Sequence, residues 1–203
     1  MTTGGSGYRA VPGAAVEPVL ISALVVAIAE IGDQTQLLAI FLASRFRKPW
    51  PIIAGILVAT IANHLLAATA GYLISGFLKG VWFQYLIAAS FIGTAIWALF
   101  PDKEDDAGAE ASHMGVFLTT VVAFFLVEMG DKTQIATISL AARFHAIVPV
   151  AAGTTLGMMI ANIPAVFLGE RAMKIVPVRY VRIGAALVFL ALGVWTLISA
   201  IRG

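Results

Sequence analysis

The chain has 203 residues, 60% of them hydrophobic and 12% charged, and no cysteine. Soluble domains carry about 25% charged residues, so this half-charged chain with long apolar blocks is a membrane protein. Its net charge of +2 sits in short loops beside those blocks, which is a topogenic pattern rather than a nucleic-acid patch. The missing thiols exclude disulfides, thiolate metal sites and thiol catalysis.

Residues 1–15 are Gly-rich and polar with a lone Arg9. They lack the charged and apolar regions of a signal peptide and are expected to form a disordered lead-in. Six apolar runs follow, at about 18–44, 50–77, 82–100, 115–142, 147–169 and 180–201. Each meets the roughly 20 residues that a bilayer-spanning helix needs. Short joints such as Arg45-Phe46-Arg47-Lys48-Pro49 separate them. The longest joint, within 101–113, holds Asp102, Glu104, Asp105, Asp106 and Glu110. It reads as a solvated acidic linker, with a cation-collecting loop as the other reading.

The two halves repeat. Glu30-Ile31-Gly32-Asp33-Gln34-Thr35-Gln36 returns as Glu128-Met129-Gly130-Asp131-Lys132-Thr133-Gln134. Arg45-Phe46 matches Arg143-Phe144, Gly55 matches Gly153, Asn63 matches Asn162 and Trp97 matches Trp195. Chance likeness between apolar helices would not keep this polar set in one order. The expected fold is therefore an all-α membrane protein of six transmembrane helices, built as two three-helix repeats over 16–100 and 114–203. Three is odd, so the second repeat enters the membrane inverted, as in many secondary transporters. Arg45, Arg47, Lys48, Lys103, Arg171, Lys174, Arg179 and Arg182 then share one side, against Arg9, Lys79, Arg143 and Arg202 on the other. The richer side is cytoplasmic by the positive-inside rule, which places both termini outside.

Glu30, Asp33, Glu128 and Asp131 fall inside apolar runs. A carboxylate there costs about 2.5–3.5 kcal/mol even on the lenient insertion scale, so the four must face one another, water, protons or a cation. On a continuous helix Glu30, Asp33 and Gln36 share one face, as do Glu128, Asp131 and Gln134. Gly32 and Gly130 permit close helix approach or local unwinding. Two such stripes form an oxygen cage suited to calcium, manganese or magnesium. With His64 the one histidine in a span, copper and zinc are poorly served. Without a cation the clustered carboxylates repel and take up protons, which couples metal release to proton uptake. The bland alternative is a static bundle with paired or protonated acids.

These paired Glu-x-Gly-Asp-[Lys/Arg]-[Thr/Ser] motifs resemble those of the Golgi-type manganese/calcium cation–proton exchanger family, which includes bacterial manganese exporters. The likeness runs from the first apolar run to the sixth. It implies a six-helix inverted-repeat carrier, with no enzymatic activity and no resident cofactor. Such a carrier moves Mn²⁺, and in some members Ca²⁺, out of the cytosol against protons, here across a bacterial inner membrane. The metal role carries over to Glu30, Asp33, Glu128 and Asp131, with Gln36 and Gln134 as further candidates. The second motif fits fully, while the first has Gln34 where the family usually has Lys or Arg, so the half-sites are unequal. A passive cation channel and an intramembrane aspartyl protease are the alternatives; the protease reading lacks a Gly-x-Gly-Asp setting and a Tyr-Asp partner. Oligomeric state is open.

Among the remaining polar groups, Asn63 and Asn162 are either ligands or interhelical hydrogen-bonders. Lys132 is either a counter-ion tuning the site or a structural ion pair. His64 reads as helix packing first and a proton relay second. Thr35 and Thr133 point away from the acidic stripe unless the helix breaks. Met129, Met158 and Met159 are gap-fillers or soft contacts, Pro164 should kink its helix, and Trp50, Trp82, Trp97 and Trp195 read as interfacial anchors.

Overall fold

The computed structural model describes residues 16–77, 81–100, 115–168 and 178–202. The expected lead-in 1–15 and acidic linker 101–113 lie outside the described residues, as do Lys79, Lys103, Arg171 and Lys174 of the charge count. The described residues form eight helices and no strand: α1 Val16–Glu30, α2 Gln34–Phe46, α3 Pro49–Phe77, α4 Val81–Ala98, α5 Val116–Glu128, α6 Lys132–Phe144, α7 Ile147–Leu168 and α8 Val178–Arg202.

Four helices are long and apolar enough to cross a membrane, over Pro49–Gly76, Val81–Ala98, Ile147–Leu168 and Ile183–Arg202. They coincide with the second, third, fifth and sixth predicted runs, and α7 continues through Pro164. The first and fourth runs correct the expectation of continuous helices, because each breaks at its acidic motif. Gly32 has φ 76° and Gly130 has φ 87°, a left-handed conformation that no helix interior holds and that glycine adopts without steric cost. Asp33 and Asp131 then take extended conformations that open α2 and α6. A single turn closes each break, with the Asp33 N–H donating to the Glu30 carbonyl at 3.1 Å and the Asp131 N–H to that of Glu128 at 3.2 Å. The predicted one-face stripes of Glu30-Asp33-Gln36 and Glu128-Asp131-Gln134 therefore do not form. Each glutamate ends one helix and each aspartate starts the next.

The halves interlock by exchanging partners. Helix α1 packs on α7, and α5 on α3; α2 packs on α7, and α6 on α3. Glycine sets the closeness of approach. A Cβ on Gly153 would stand 2.4 Å from the Val19 carbonyl oxygen, and one on Gly157 2.5 Å from that of Ala23. This small-xxx-small spacing lets α7 touch the α1 backbone. Gly55, the repeat mate of Gly153, seats α5 in the same way, with a Cβ position 2.7 Å from the Thr120 Cβ. Because the Val19 oxygen belongs to backbone, no rotamer change relieves the clash. Gly153→Ala should cost about 1–3 kcal/mol as overpacking, seen as a lower midpoint in thermal unfolding of the detergent-solubilised protein. An unchanged midpoint would refute this close approach.

Two apolar clusters bracket a polar middle. On α3, Ile52, Ile56 and Ala59 belong to one cluster and Ala68 to the other. Between them lie Asn63 and His64, both fully buried. Helix α7 repeats the arrangement, with Val150 and Ala151 in one cluster, Met159 and Val166 in the other, and buried Thr154 and Thr155 between. Both helix breaks deliver their acids to the bundle interior.

Candidate functional site

Glu30, Asp33, Glu128 and Asp131 are all buried, none more than 4% exposed. Carboxylate oxygens of Glu30, Asp33 and Asp131 lie within 4.8 Å of one another. Two oxygens on opposite sides of an ion bound at about 2.3 Å stand about 4.6 Å apart, so this trio has the spacing of a hard-cation site. It joins the two motifs: Glu30 comes from the end of α1, Asp33 from the start of α2 and Asp131 from the start of α6. The helix breaks make this possible, since they turn both aspartates to the side on which α1 ends.

Lys132 Nζ donates to Asp33 Oδ1 at 2.7 Å with both side chains buried. The ion pair therefore links the second motif to the first. Gln34, the repeat mate of Lys132, instead donates from Nε2 to the Val127 carbonyl at 3.4 Å. The inequality of the motifs thus becomes an inequality of charge between half-sites. The threonines also depart from the continuous-helix expectation. With the helix broken, the Thr35 hydroxyl donates to Glu30 Oε2, and that of Thr133 to Asp131 Oδ2 at 3.4 Å.

The fourth carboxylate has other company. Glu128 is outside the close trio, although near enough to Glu30 for their charges to interact. Its Oε1 lies 2.7 Å from His64 Nε2, and its Oε2 accepts from Asn63 Nδ2 at 3.4 Å. Asn63 also donates to the Phe125 carbonyl at 3.0 Å, which ties α3 to α5. Asn162 does not repeat this: its amide donates to the Met158 carbonyl at 3.1 Å and its sulfur at 2.9 Å, leaving a buried Oδ1 with no hydrogen-bond partner. Gln36 and Gln134 brace the breaks. Their Oε1 atoms accept from the Gly32 N–H at 2.7 Å and the Gly130 N–H at 2.6 Å, and Gln36 Nε2 reaches the Ala161 carbonyl at 3.1 Å. Met129 is exposed, whereas Met158 is buried beside Asn162.

Sequence reasoning ranked His64 below its observed place. Its repeat mate is Ile163, so the duplication gave it no counterpart to flag it. A second polar region was also missed, a cavity of about 570 Å³ lined by Glu17, Gln84, Arg143, His145 and Thr196 among others. There Arg143 donates to Thr196 Oγ1 and lies 4.3 Å from the centroid of the Trp195 ring. Among the described residues its mate Arg45 stacks on Phe41 and Phe46 of its own helix.

An apolar helical bundle that gathers three carboxylates and a lysine in its interior is an integral membrane protein equipped to handle cations. The chain belongs to the divalent cation/proton antiporter family GDT1, which it matches over residues 18–106 and 116–203. It is 46% identical over 178 residues to a protein of Vibrio cholerae named "Putative manganese exporter", covering 87% of this chain and 88% of that protein. A GDT1-like protein of Synechocystis is 31% identical over 168 residues, 72% of this chain and 80% of its own length. GDT1-like protein 5 of Arabidopsis thaliana is 24% identical over 212 residues, 86% and 92% of the two chains. No solved structure matches the chain. Family membership makes the protein a transporter and sets aside both the channel and the protease readings; cation and proton are its substrates, with no cofactor implied.

Proposed function

We propose that the protein exports divalent cations, Mn²⁺ foremost, from the bacterial cytosol across the inner membrane in exchange for protons. The observation that carries this reading is the meeting of Glu30, Asp33 and Asp131, drawn from both motifs, within 4.8 Å in a buried interior. These three supply the first oxygen ligands. Glu128 is the fourth carboxylate, and the orphaned Asn162 Oδ1 is a neutral candidate. Gln36 and Gln134 already serve the Gly32 and Gly130 amides, so their role is support of the ligands, whereas Asn63 holds Glu128 through Nδ2 and keeps an Oδ1 as unpartnered as that of Asn162. Oxygen donors suit Mn²⁺ and Ca²⁺ alike. The Vibrio cholerae relative named for manganese favours Mn²⁺, with Ca²⁺ as the second substrate.

The exchange of packing partners between halves supports two inverted repeats over 16–100 and 114–203, with α1–α2 and α5–α6 each counted as one broken span. Discontinuous helices at the repeat interface are where secondary transporters hold their ions. In this arrangement both termini face outward and the Arg45–Lys48 joint faces the cytosol. Purified protein in proteoliposomes should take up Mn²⁺ when a pH gradient is imposed and should collapse that gradient as it does so. Mn²⁺ flux with no accompanying proton movement would sink the exchange reading.

A further inference from the structure

We propose that His64 is a positioning residue for transport, holding Glu128 docked away from the other three carboxylates so that this acid must leave the imidazole before a cation is fully enclosed. The inference rests on the exporter reading above and adds a mechanism to it.

The geometry is a short relay of contacts with no exposed member. Thr155 Oγ1 lies 3.5 Å from His64 Nδ1, and His64 Nε2 lies 2.7 Å from Glu128 Oε1. The imidazole and the carboxylate are in close polar contact without the alignment of a hydrogen bond, and neither Nε2 nor Oε1 has another hydrogen-bond partner, so the contact holds Glu128 in place yet is readily given up. Asn63 holds the other oxygen. Helices α3 and α7 thus anchor a carboxylate that ends α5. The three remaining acids draw together without it.

Asymmetry argues that this is not scaffold. Glu30 has no matching imidazole from the second repeat, because Ile163 occupies that place. Glu30 is bonded locally by Thr35, and Asn162 turns to Met158 instead of to a carboxylate. A packing residue of a duplicated fold would be expected in both halves. Here one glutamate alone meets the latch, and that glutamate, Glu128, alone stands apart from the trio.

A latch competes with the cation for the same carboxylate, which gives the test an unusual sign. Removing it leaves Glu128 buried and poorly partnered in the empty protein, and a bound cation relieves that cost. His64→Ala should bind Mn²⁺ about tenfold more tightly, a difference of about 1.4 kcal/mol, in calorimetric titration of the detergent-purified protein. Turnover in proteoliposomes should fall, because release must proceed without the imidazole that reclaims Glu128. His64→Gln keeps an N–H donor and should restore both values towards those of the natural protein. Thr155→Val, which only frees the ring, should shift affinity in the same direction by a smaller factor, and it decides the matter where His64→Ala does not fold. Unchanged or weaker Mn²⁺ binding in these variants overturns the latch while leaving the exporter reading intact. A natural protein that neither binds nor moves Mn²⁺ overturns both.

Discussion

Asp131→Asn should lower Mn²⁺ efflux from proteoliposomes at least about a hundredfold while leaving the empty protein as stable as before, or more so. The two effects share a cause. Asp131 shares a 4.8 Å neighbourhood with Glu30 and Asp33 in the buried interior, where a unit charge about 4 Å away is worth about 4 kcal/mol per opposing charge at an effective dielectric near 20. Against a divalent ion the loss of one such charge readily reaches a hundredfold. In the empty protein the same charge repels Glu30 and Asp33, so deleting it relieves a repulsion that outweighs the weakened hydrogen bond from Thr133. A destabilised Asp131→Asn protein that still transports at the natural rate would dissociate the trio from the transport site. Glu30→Gln should behave alike in flux, although its Thr35 hydrogen bond makes the stability gain smaller.

Lys132→Met should fail differently, losing stability as well as transport. The ammonium reaches Asp33 across the two halves with both side chains buried. Breaking a buried pair by removing one partner costs about 3–5 kcal/mol because the other charge is stranded. The double variant Asp33→Asn/Lys132→Met removes both charges and should regain most of the lost unfolding midpoint, yet it should remain inactive. Thermal unfolding of the four proteins of this cycle measures the coupling. Strictly additive midpoints would mean that the pair does not join the halves energetically.

These expectations depend on features that the sequence disclosed unevenly. Helices α3, α4, α7 and α8 were legible as apolar runs because length and hydropathy alone define a span. The repeat was legible because paired polar motifs at equal depth cannot arise from apolar likeness. Breaks at Gly32 and Gly130 were only half legible, since glycine in an apolar run serves close packing and unwinding equally well. Gly153 and Gly157 do the first, and Gly32 and Gly130 the second. Lys132 pairing with Asp33, and His64 facing Glu128, are contacts between segments far apart in the chain; no local spacing encodes them. The departure of Glu128 from the other three acids follows from those contacts and was equally hidden.

The Lys132 ammonium has an electrical consequence as well as a structural one. With the carboxylates ionised, Glu30, Asp33, Glu128 and Asp131 together with Lys132 carry a formal charge of −3, which one divalent ion reduces to −1. Moving charge through the bilayer costs about 2.3 kcal/mol per elementary charge per 100 mV, and a loaded core of −1 meets half the cost of the −2 core that would stand there without the lysine. The lysine in the second motif and the glutamine in the first thus divide the labour: a single resident cation brings the loaded core within one charge of neutrality, so membrane voltage has less grip on the step that carries the ion across.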